Sequence, residues 1–308
     1  METNQKERVN PFYKVRGYAG CVNEGIRLLT SNFLVWLKYL LPVALIYSLF
    51  ATLFTYSSVL LTSGPAVPIW AMVLQVLLAI VSVFFVFVGL GAFYTLISHA
   101  AHLGRLPIVG MKRWAKEIRL NSLLNLQYNV VVTLIYMVIV GGLTYLAFKF
   151  SFWILIAAVI IVILFLPLFS IMEPVYMLEK INLHKAFRKS VHIGFRHWGA
   201  IFLVALLAGL LMMFCTVFCS LPASIMQMAI VKSNAALAIG DITDIPTYID
   251  FVHFIFLMIA YFCSFYLMML PKAALTYLYF SIETEGSEQK KMKEQMAAIE
   301  EEKRLLKR

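Results

Sequence analysis

The side chains best suited to chemistry in this sequence are six histidines and a glutamate that follows a long uncharged stretch. The histidines are His99, His102, His184, His192, His197 and His253. His99 and His102 are three positions apart and share a face if the segment is helical. Imidazole is a common ligand of transition metals. The histidines therefore raise the question of a metal-dependent membrane enzyme.

The spacing of these histidines argues against such an enzyme. A membrane iron oxygenase needs many histidines in tight clusters, whereas this sequence has one HAAH stretch, 99–102, and isolated single histidines. The Glu-x-x-His pairs of carboxylate di-iron sites do not occur, nor does a phosphate-binding loop or a nucleophile elbow. We expect no catalytic residue, no metal site and no cofactor. A metal-dependent oxygenase or hydroxylase is the least favoured alternative.

Four ionisable residues and one proline, within or beside apolar segments, are candidate functional residues. They are Lys38, Glu173, Pro174, Glu179 and Lys272. Ionisable residues inside membrane segments often mark a substrate path. Lysines near the end of a segment can instead extend to the lipid headgroups, and a carboxylate at a helix end can pair with a nearby Lys or Arg. We expect these structural roles, and Glu173 is the first choice for mutagenesis.

Long apolar helices must position these residues. Of 308 residues, 62% are hydrophobic and 14% are charged, whereas soluble domains carry about 25% charged residues. A helix crosses the bilayer with about 20 residues. The uncharged runs reach that length, and they cover 39–104, 120–148, 150–172, 197–231 and 251–271.

The first run is 66 residues long and is divided by the Ser-, Gly- and Pro-containing stretch 57–68, which signals a turn. Continuously apolar runs favour helices over barrel strands, which alternate polar and apolar residues. The sequence therefore predicts an all-α polytopic membrane protein. Its six transmembrane helices are predicted near 33–56, 69–98, 124–148, 152–178, 199–230 and 251–280.

The distribution of cations predicts the orientation. Of the 26 Lys and Arg residues, 22 fall in the segments 1–32, 99–123, 179–198 and 281–308. The three connections at the opposite ends of the predicted spans carry only Lys149 and Lys232, and the remaining two cations, Lys38 and Lys272, lie within spans. Because Lys and Arg accumulate in cytoplasmic loops, we expect both termini in the cytoplasm and the protein in the inner membrane. The four cysteines show no disulfide spacing.

Three basic amphipathic helices are predicted at the cytoplasmic interface. Wound as a helix, 183–198 places Leu183, Phe187, Val191, Phe195 and Trp198 on one face. Cations occupy the opposite face, as is typical of helices lying in the interface. Similar patterns precede the first and third spans, at 21–36 and 110–125. We expect seven cations to contact anionic lipid headgroups: Lys112, Arg113, Lys116, Lys185, Arg188, Lys189 and Arg196.

The chain therefore divides into a membrane domain, 1–280, and a charged helical tail, 281–308. Within the domain, three units of an interfacial helix and a two-span hairpin are suggested at about 20–98, 108–178 and 182–280. The segment 286–308 is a candidate docking helix for a protein partner. We expect no nucleic-acid partner.

One segment also carries a resemblance. The stretch PVYMLEKINLHKAFRKSVHIGFRHW resembles bacterial six-span inner-membrane proteins of the glycerophosphoryl diester phosphodiesterase membrane-domain type. The matching residues are Pro174, Glu179, Ala186, Phe187, Ser190 and Trp198. The resemblance implies fold and location. No phosphodiesterase barrel follows the last span in this sequence, so no hydrolase residue is carried over.

The favoured function is a non-enzymatic, membrane-embedded interaction or envelope-homeostasis module that contacts anionic lipid of the cytoplasmic leaflet. The alternative is a transporter of a small solute or lipid. Prolines and paired glycines within the spans suit the broken helices of transporters. The lack of charged residues at mid-bilayer argues against an ion-coupled carrier. A polar cavity at the midplane would favour transport, and a dry bundle would favour the interaction module.

Overall fold

The computed structural model describes residues 11–62, 69–104, 106, 114–149, 152–238 and 248–305, apart from some side chains within the helices. The elements in these ranges are α-helices, which confirms the predicted all-α fold. In chain order they are α1 (Tyr18–Ser31), α2 (Phe33–Thr62), α3 (Ile69–Leu103), α4 (Ala115–Lys149), α5 (Phe152–Glu179), α6 (Leu183–Arg196), α7 (Trp198–Ala238), α8 (Tyr248–Leu267) and α9 (Met269–Leu305).

Five stretches of the described helices are long and apolar enough to cross a membrane. They are Phe33–Ser58, Ile69–Leu103, Ala115–Tyr145, Trp198–Ser233 and Tyr248–Lys291. Each contains one predicted span or most of it. The remaining span, predicted at 152–178, falls on α5, whose side chains are described only in part. A sixth crossing stays a prediction.

Large apolar side chains cover the outer surface of these helices. Ile69, Trp70, Met137 and Phe214 are 80%, 70%, 66% and 61% exposed. Soluble proteins rarely expose extended apolar surface of this kind. These helices are therefore compatible with a multi-pass membrane protein in which lipid covers the surface.

Prolines interrupt several helices without ending them. Pro42 lies inside α2, Pro167 and Pro174 inside α5, and Pro222 inside α7. Membrane helices tolerate proline because neighbouring groups satisfy the freed carbonyls. α5 continues beyond Pro174 to Glu179, and the chain then reverses at Lys180, whose φ of 52° is left-handed.

The best-packed part of the molecule lies at one end of the bundle, which we call the basic end. It comprises α1, α6, the first turns of α2, the last turns of α3, the first three turns of α4 and the part of α9 that follows Lys272. Trp36, Tyr94 and Tyr279 are among its largest fully buried side chains. α1 packs closely on α9, since a Cβ added at Gly25 would lie 3.0 Å from the backbone nitrogen of Ala274.

The three predicted interfacial helices have different forms in the described part of the chain. Residues 107–113 lie outside the described part of the chain, and from Ala115 onward the segment 110–125 is the beginning of α4. α1 and α6 are separate helices. Trp36, the last residue of the predicted segment 21–36, belongs to α2, and its indole Nε1 donates to the Leu28 carbonyl of α1 at 3.0 Å.

α6 packs into the protein through small residues. Ala186, Ser190, Ile193 and Gly194 are its buried positions. The Ser190 hydroxyl donates to the carbonyl of Leu168 on α5, and a Cβ added at Gly194 would lie 2.5 Å from the Leu168 side chain. Small side chains allow this close approach. The aromatic face predicted to contact lipid stays outside, with Phe195 67% exposed.

The boundary predicted between domain and tail does not interrupt the backbone helix, because α9 runs without a break from Met269 to Leu305. The last predicted span, in contrast, is formed by two helices, α8 and α9, separated at Met268. The organisation into three interfacial-helix and hairpin units stays a prediction.

Candidate functional site

Among the described Asp, Glu, Lys and Arg residues, Glu173 is the one that is buried. Its side chain is 4% exposed and forms an ion pair with the ammonium of Lys272, which is 29% exposed. Asn125 on α4 donates to the other carboxylate oxygen at 3.4 Å. Three helices, α4, α5 and α9, therefore meet at one carboxylate. We expected Lys272 to reach the headgroups, but its ammonium lies on Glu173 instead.

Asn125 belongs to a stripe of three asparagines on α4. Asn121, Asn125 and Asn129 are four positions apart and so lie on one helical face. The Asn129 amide donates to the Asn125 side-chain oxygen at 3.0 Å, and Asn121 donates to the Thr95 hydroxyl on α3 at 2.7 Å. Buried polar groups in a membrane require such partners. The four-residue spacing was the sequence signal for this polar face, which composition alone does not show.

A second ionic cluster lies nearer the surface of the basic end. The Lys189 ammonium contacts Glu179 on α5 and Glu283 on α9, and it donates to the Tyr279 hydroxyl at 3.1 Å. Burial lowers the pKa of Lys189, but the hydrogen bonds to Glu179 and Glu283 outweigh it and the pKa lies above its ordinary value. Lys189 was predicted to contact lipid headgroups. Two carboxylates of the protein hold its ammonium instead.

The other predicted headgroup contacts divide into three groups. Lys116, Lys185 and Arg188 are exposed at the basic end, and so is Lys38 on α2. Arg196 is exposed and donates to Gln289 on α9 at 3.3 Å. Lys112 and Arg113 lie outside the described residues. Lys185 and Arg188 are therefore the α6 cations best placed to contact a ligand outside the protein.

The histidines do not assemble into one site. His99 bonds Glu117 on α4 at 2.7 Å and stacks on Trp114 with ring centroids 4.3 Å apart. His102, His184 and His192 are exposed, whereas both ring nitrogens of the buried His253 lack partners. In the part of the chain that the structure describes, no three His, Cys, Asp or Glu residues are grouped to hold a metal ion.

His197 lies in the turn between α6 and α7. Burial lowers the pKa of its imidazole and Arg196 lowers it further, while Glu285 on α9 acts in the opposite direction. The net result is a pKa below the ordinary histidine value. Its ring therefore favours the neutral form at neutral pH.

Two apolar grooves lie between the long helices. One, of 780 Å³, lies between α4, α5 and α6, and we call it the α6 groove. Its lining includes Ile135, Ile139 and Gly142 of α4, Phe165 of α5, and Phe187, Val191 and Phe195 of α6. The other, of 560 Å³, lies between α3 and α4 and has Arg119 on its wall.

A smaller polar pocket of 220 Å³ lies between α6 and α9 at the basic end. Its walls carry Lys189, Arg196 and His197 from the α6 side and Glu283 and Glu285 from α9. Cationic and anionic side chains thus line the same pocket. Lys189 is paired with Glu283, and Arg196 donates to Gln289. The predicted partner segment 286–308 continues along α9 from this pocket, and most of its side chains lie outside the described ones.

Comparison with protein-family models, with curated proteins and with solved structures gives no match.

Proposed function

We propose that this chain is a non-enzymatic, membrane-embedded interaction module that holds anionic phospholipid at its basic end. The observation that carries the proposal is the arrangement of α6. Its small residues pack on α5, while Lys185 and Arg188 are exposed beside the exposed aromatics Phe187 and Phe195. A helix with this pattern places its cations at headgroup level and its aromatics among the acyl chains.

The electrostatics support an anionic ligand. The chain carries a formal net charge of +10, and a cation close to an anionic leaflet contributes about 1 kcal/mol to the attraction. Lys189, in contrast, is neutralised by Glu179 and Glu283. The attraction is therefore assigned to Lys185 and Arg188, and Arg196 has a weaker share.

The proposal includes a location. Six crossings with both termini in the cytoplasm would place α1, α6 and the start of α4 at the cytoplasmic leaflet, where anionic lipids attract basic segments. The resemblance to the six-span bacterial membrane-domain type leads to the same inner-membrane location, as a hypothesis. An envelope-homeostasis role belongs to the same hypothesis, because it also depends on the inner-membrane location.

The test compares lipid retention by full-length protein variants. Wild type is purified in detergent with equal amounts of phosphatidylglycerol and phosphatidylcholine of identical chains, and retained lipids are counted by native mass spectrometry. We expect an excess of phosphatidylglycerol, reduced about thirtyfold in Lys185→Gln/Arg188→Gln, since two cations contribute about 1 kcal/mol each. The control Lys14→Gln/Lys291→Gln removes the same charge from exposed lysines outside α6. Equal retention of the two lipids by wild type would contradict the proposal.

A transporter is the second candidate, and the pair of Glu173 and Lys272 favours it. An ionisable residue inside a membrane protein often lines a substrate or proton path, and Glu173 is almost fully buried. Asn125→Cys, in a variant without the native cysteines, would report access to this position. A carrier exposes the new thiol to water-soluble maleimides from each side of the membrane in turn. An interaction module excludes the reagent from the side opposite the basic end.

A further inference from the structure

The α6 groove has a shape that the lipid proposal alone does not require. Its walls come from the middle of α4, from Phe165 of α5 and from the aromatic face of α6. Along α4 the lining runs from Ile135 to Leu143, a rise of about 12 Å. The groove is therefore elongated and apolar, and several methylene groups of one chain fit along it.

Polar groups of α6 lie directly beside this groove. Phe187, Val191 and Phe195 line it, and at 100° per residue Arg188 and His184 fall next to this stripe on the helix surface. Both are exposed. A molecule lying in the groove with one end at α6 would thus meet a hydrocarbon wall along its length and a cation at its end.

We infer that the α6 groove is a binding site for one acyl chain of an anionic phospholipid, whose phosphate contacts Arg188 and Lys185. This inference rests on the proposed function and assigns it a specific site. The neighbouring charge selects the occupant. A second copy of this chain would bring its own cationic α6 to the same place, and the like charges would repel, whereas an anionic headgroup complements them.

Two adjacent glycines allow a sharp test. A Cβ added at Gly142 or at Gly141 meets nothing within 4 Å, so both positions accept a larger side chain without a backbone clash. Gly142 lines the groove, and Gly141 is not among its lining residues. Gly142→Phe therefore fills the groove, and Gly141→Phe adds the same surface beside it.

The experiment measures retention of phosphatidylglycerol by the full-length protein in detergent, using native mass spectrometry over a lipid titration. We expect Gly142→Phe to weaken retention of the tightest-bound phosphatidylglycerol by roughly tenfold, the scale of two lost methylene contacts. Gly141→Phe should match wild type. The thermal midpoint of both variants shows that they are folded, and a second filling variant, Ile139→Phe, covers the case in which Gly142→Phe unfolds.

The outcomes separate this inference from the proposal beneath it. Unchanged retention in both filling variants, with lipid still lost in Lys185→Gln/Arg188→Gln, would overturn the groove assignment and leave the headgroup proposal intact. A protein dimer that Gly142→Phe converts to monomer, without change in lipid content, would also overturn it, because a second copy would then be the occupant. Equal retention of phosphatidylglycerol and phosphatidylcholine by wild type would remove both.

Discussion

The ammonium of Lys272 on α9 is paired with the carboxylate of Glu173 on α5, although the two residues are 99 positions apart in the sequence. The carboxylate is 4% exposed, so its charge has little access to water. Asn125 on α4 also donates to this carboxylate, at 3.4 Å. The pair therefore joins the fifth and ninth helices where the apolar part of the bundle meets the basic end.

Removing Lys272 should strongly destabilise the protein. Lys272→Met leaves the Glu173 carboxylate buried without its partner, and breaking a buried pair from one side typically costs 3–5 kcal/mol. Because Lys272 is partly exposed, we expect the lower end, about 3 kcal/mol, in the free energy of unfolding measured by denaturant titration in detergent. The matched variant Lys38→Met removes an exposed lysine of α2 and should stay close to wild type.

The double variant Glu173→Gln/Lys272→Met separates charge from packing. It removes both charges, so no uncompensated ion remains in the interior, and most of the lost stability should return. If the double variant is as unstable as Lys272→Met, lost side-chain packing explains the effect and the ion pair does not.

The close approach of α3 and α4 should depend on Gly91. A Cβ at this position would lie 2.6 Å from the backbone nitrogen of Ser122, and backbone cannot move aside as a flexible side chain can. We expect Gly91→Ala to lower the free energy of unfolding by about 1–3 kcal/mol. Gly141→Ala is the control, since its Cβ would meet nothing within 4 Å. Equal stability of the two variants would show that the helices are farther apart.

Cys21 should react slowly with thiol reagents in the folded protein. Its side chain is buried, and burial raises the pKa of the thiol to about 11 although Arg16 acts in the opposite direction. Thiolate is the reactive form, and an unfolded cysteine has a pKa of about 8.5. In a variant that retains only Cys21, maleimide labelling at pH 8 should be slow until detergent denaturation. Rapid labelling of native protein would contradict the packing of α1 on α9.

Reporter fusions test the orientation. Both termini and the basic end are predicted to be cytoplasmic because cations resist translocation. Green fluorescent protein fused after Arg308 should fluoresce, and alkaline phosphatase fused there should be inactive. The opposite pattern is expected for fusions within 57–68 or 239–247. Active phosphatase after Arg308 would show the opposite orientation. The basic end would then not face the anionic cytoplasmic leaflet, which contradicts the lipid proposal.

The sequence by itself determined that the protein is helical and apolar, and its apolar runs coincide with five stretches of helix that are long and apolar enough to cross a membrane. Four predicted spans lie wholly within one of these stretches each. The fifth, 124–148, overlaps Ala115–Tyr145 over most of its length. The physical reason is local: a membrane helix satisfies its backbone within about 20 consecutive residues, so composition and run length suffice. A helix over 183–198 was also predicted, and α6 covers Leu183–Arg196 of that segment.

Only the tertiary structure decided which polar groups meet. The sequence singled out Glu173, Glu179, Lys189 and Lys272 but assigned the lysines to lipid headgroups. In the folded chain, α5 and α9 lie side by side, and both lysines bind carboxylates of the protein. Which carboxylate a lysine reaches depends on helix packing between segments about a hundred residues apart, and no local pattern of residues encodes that distance.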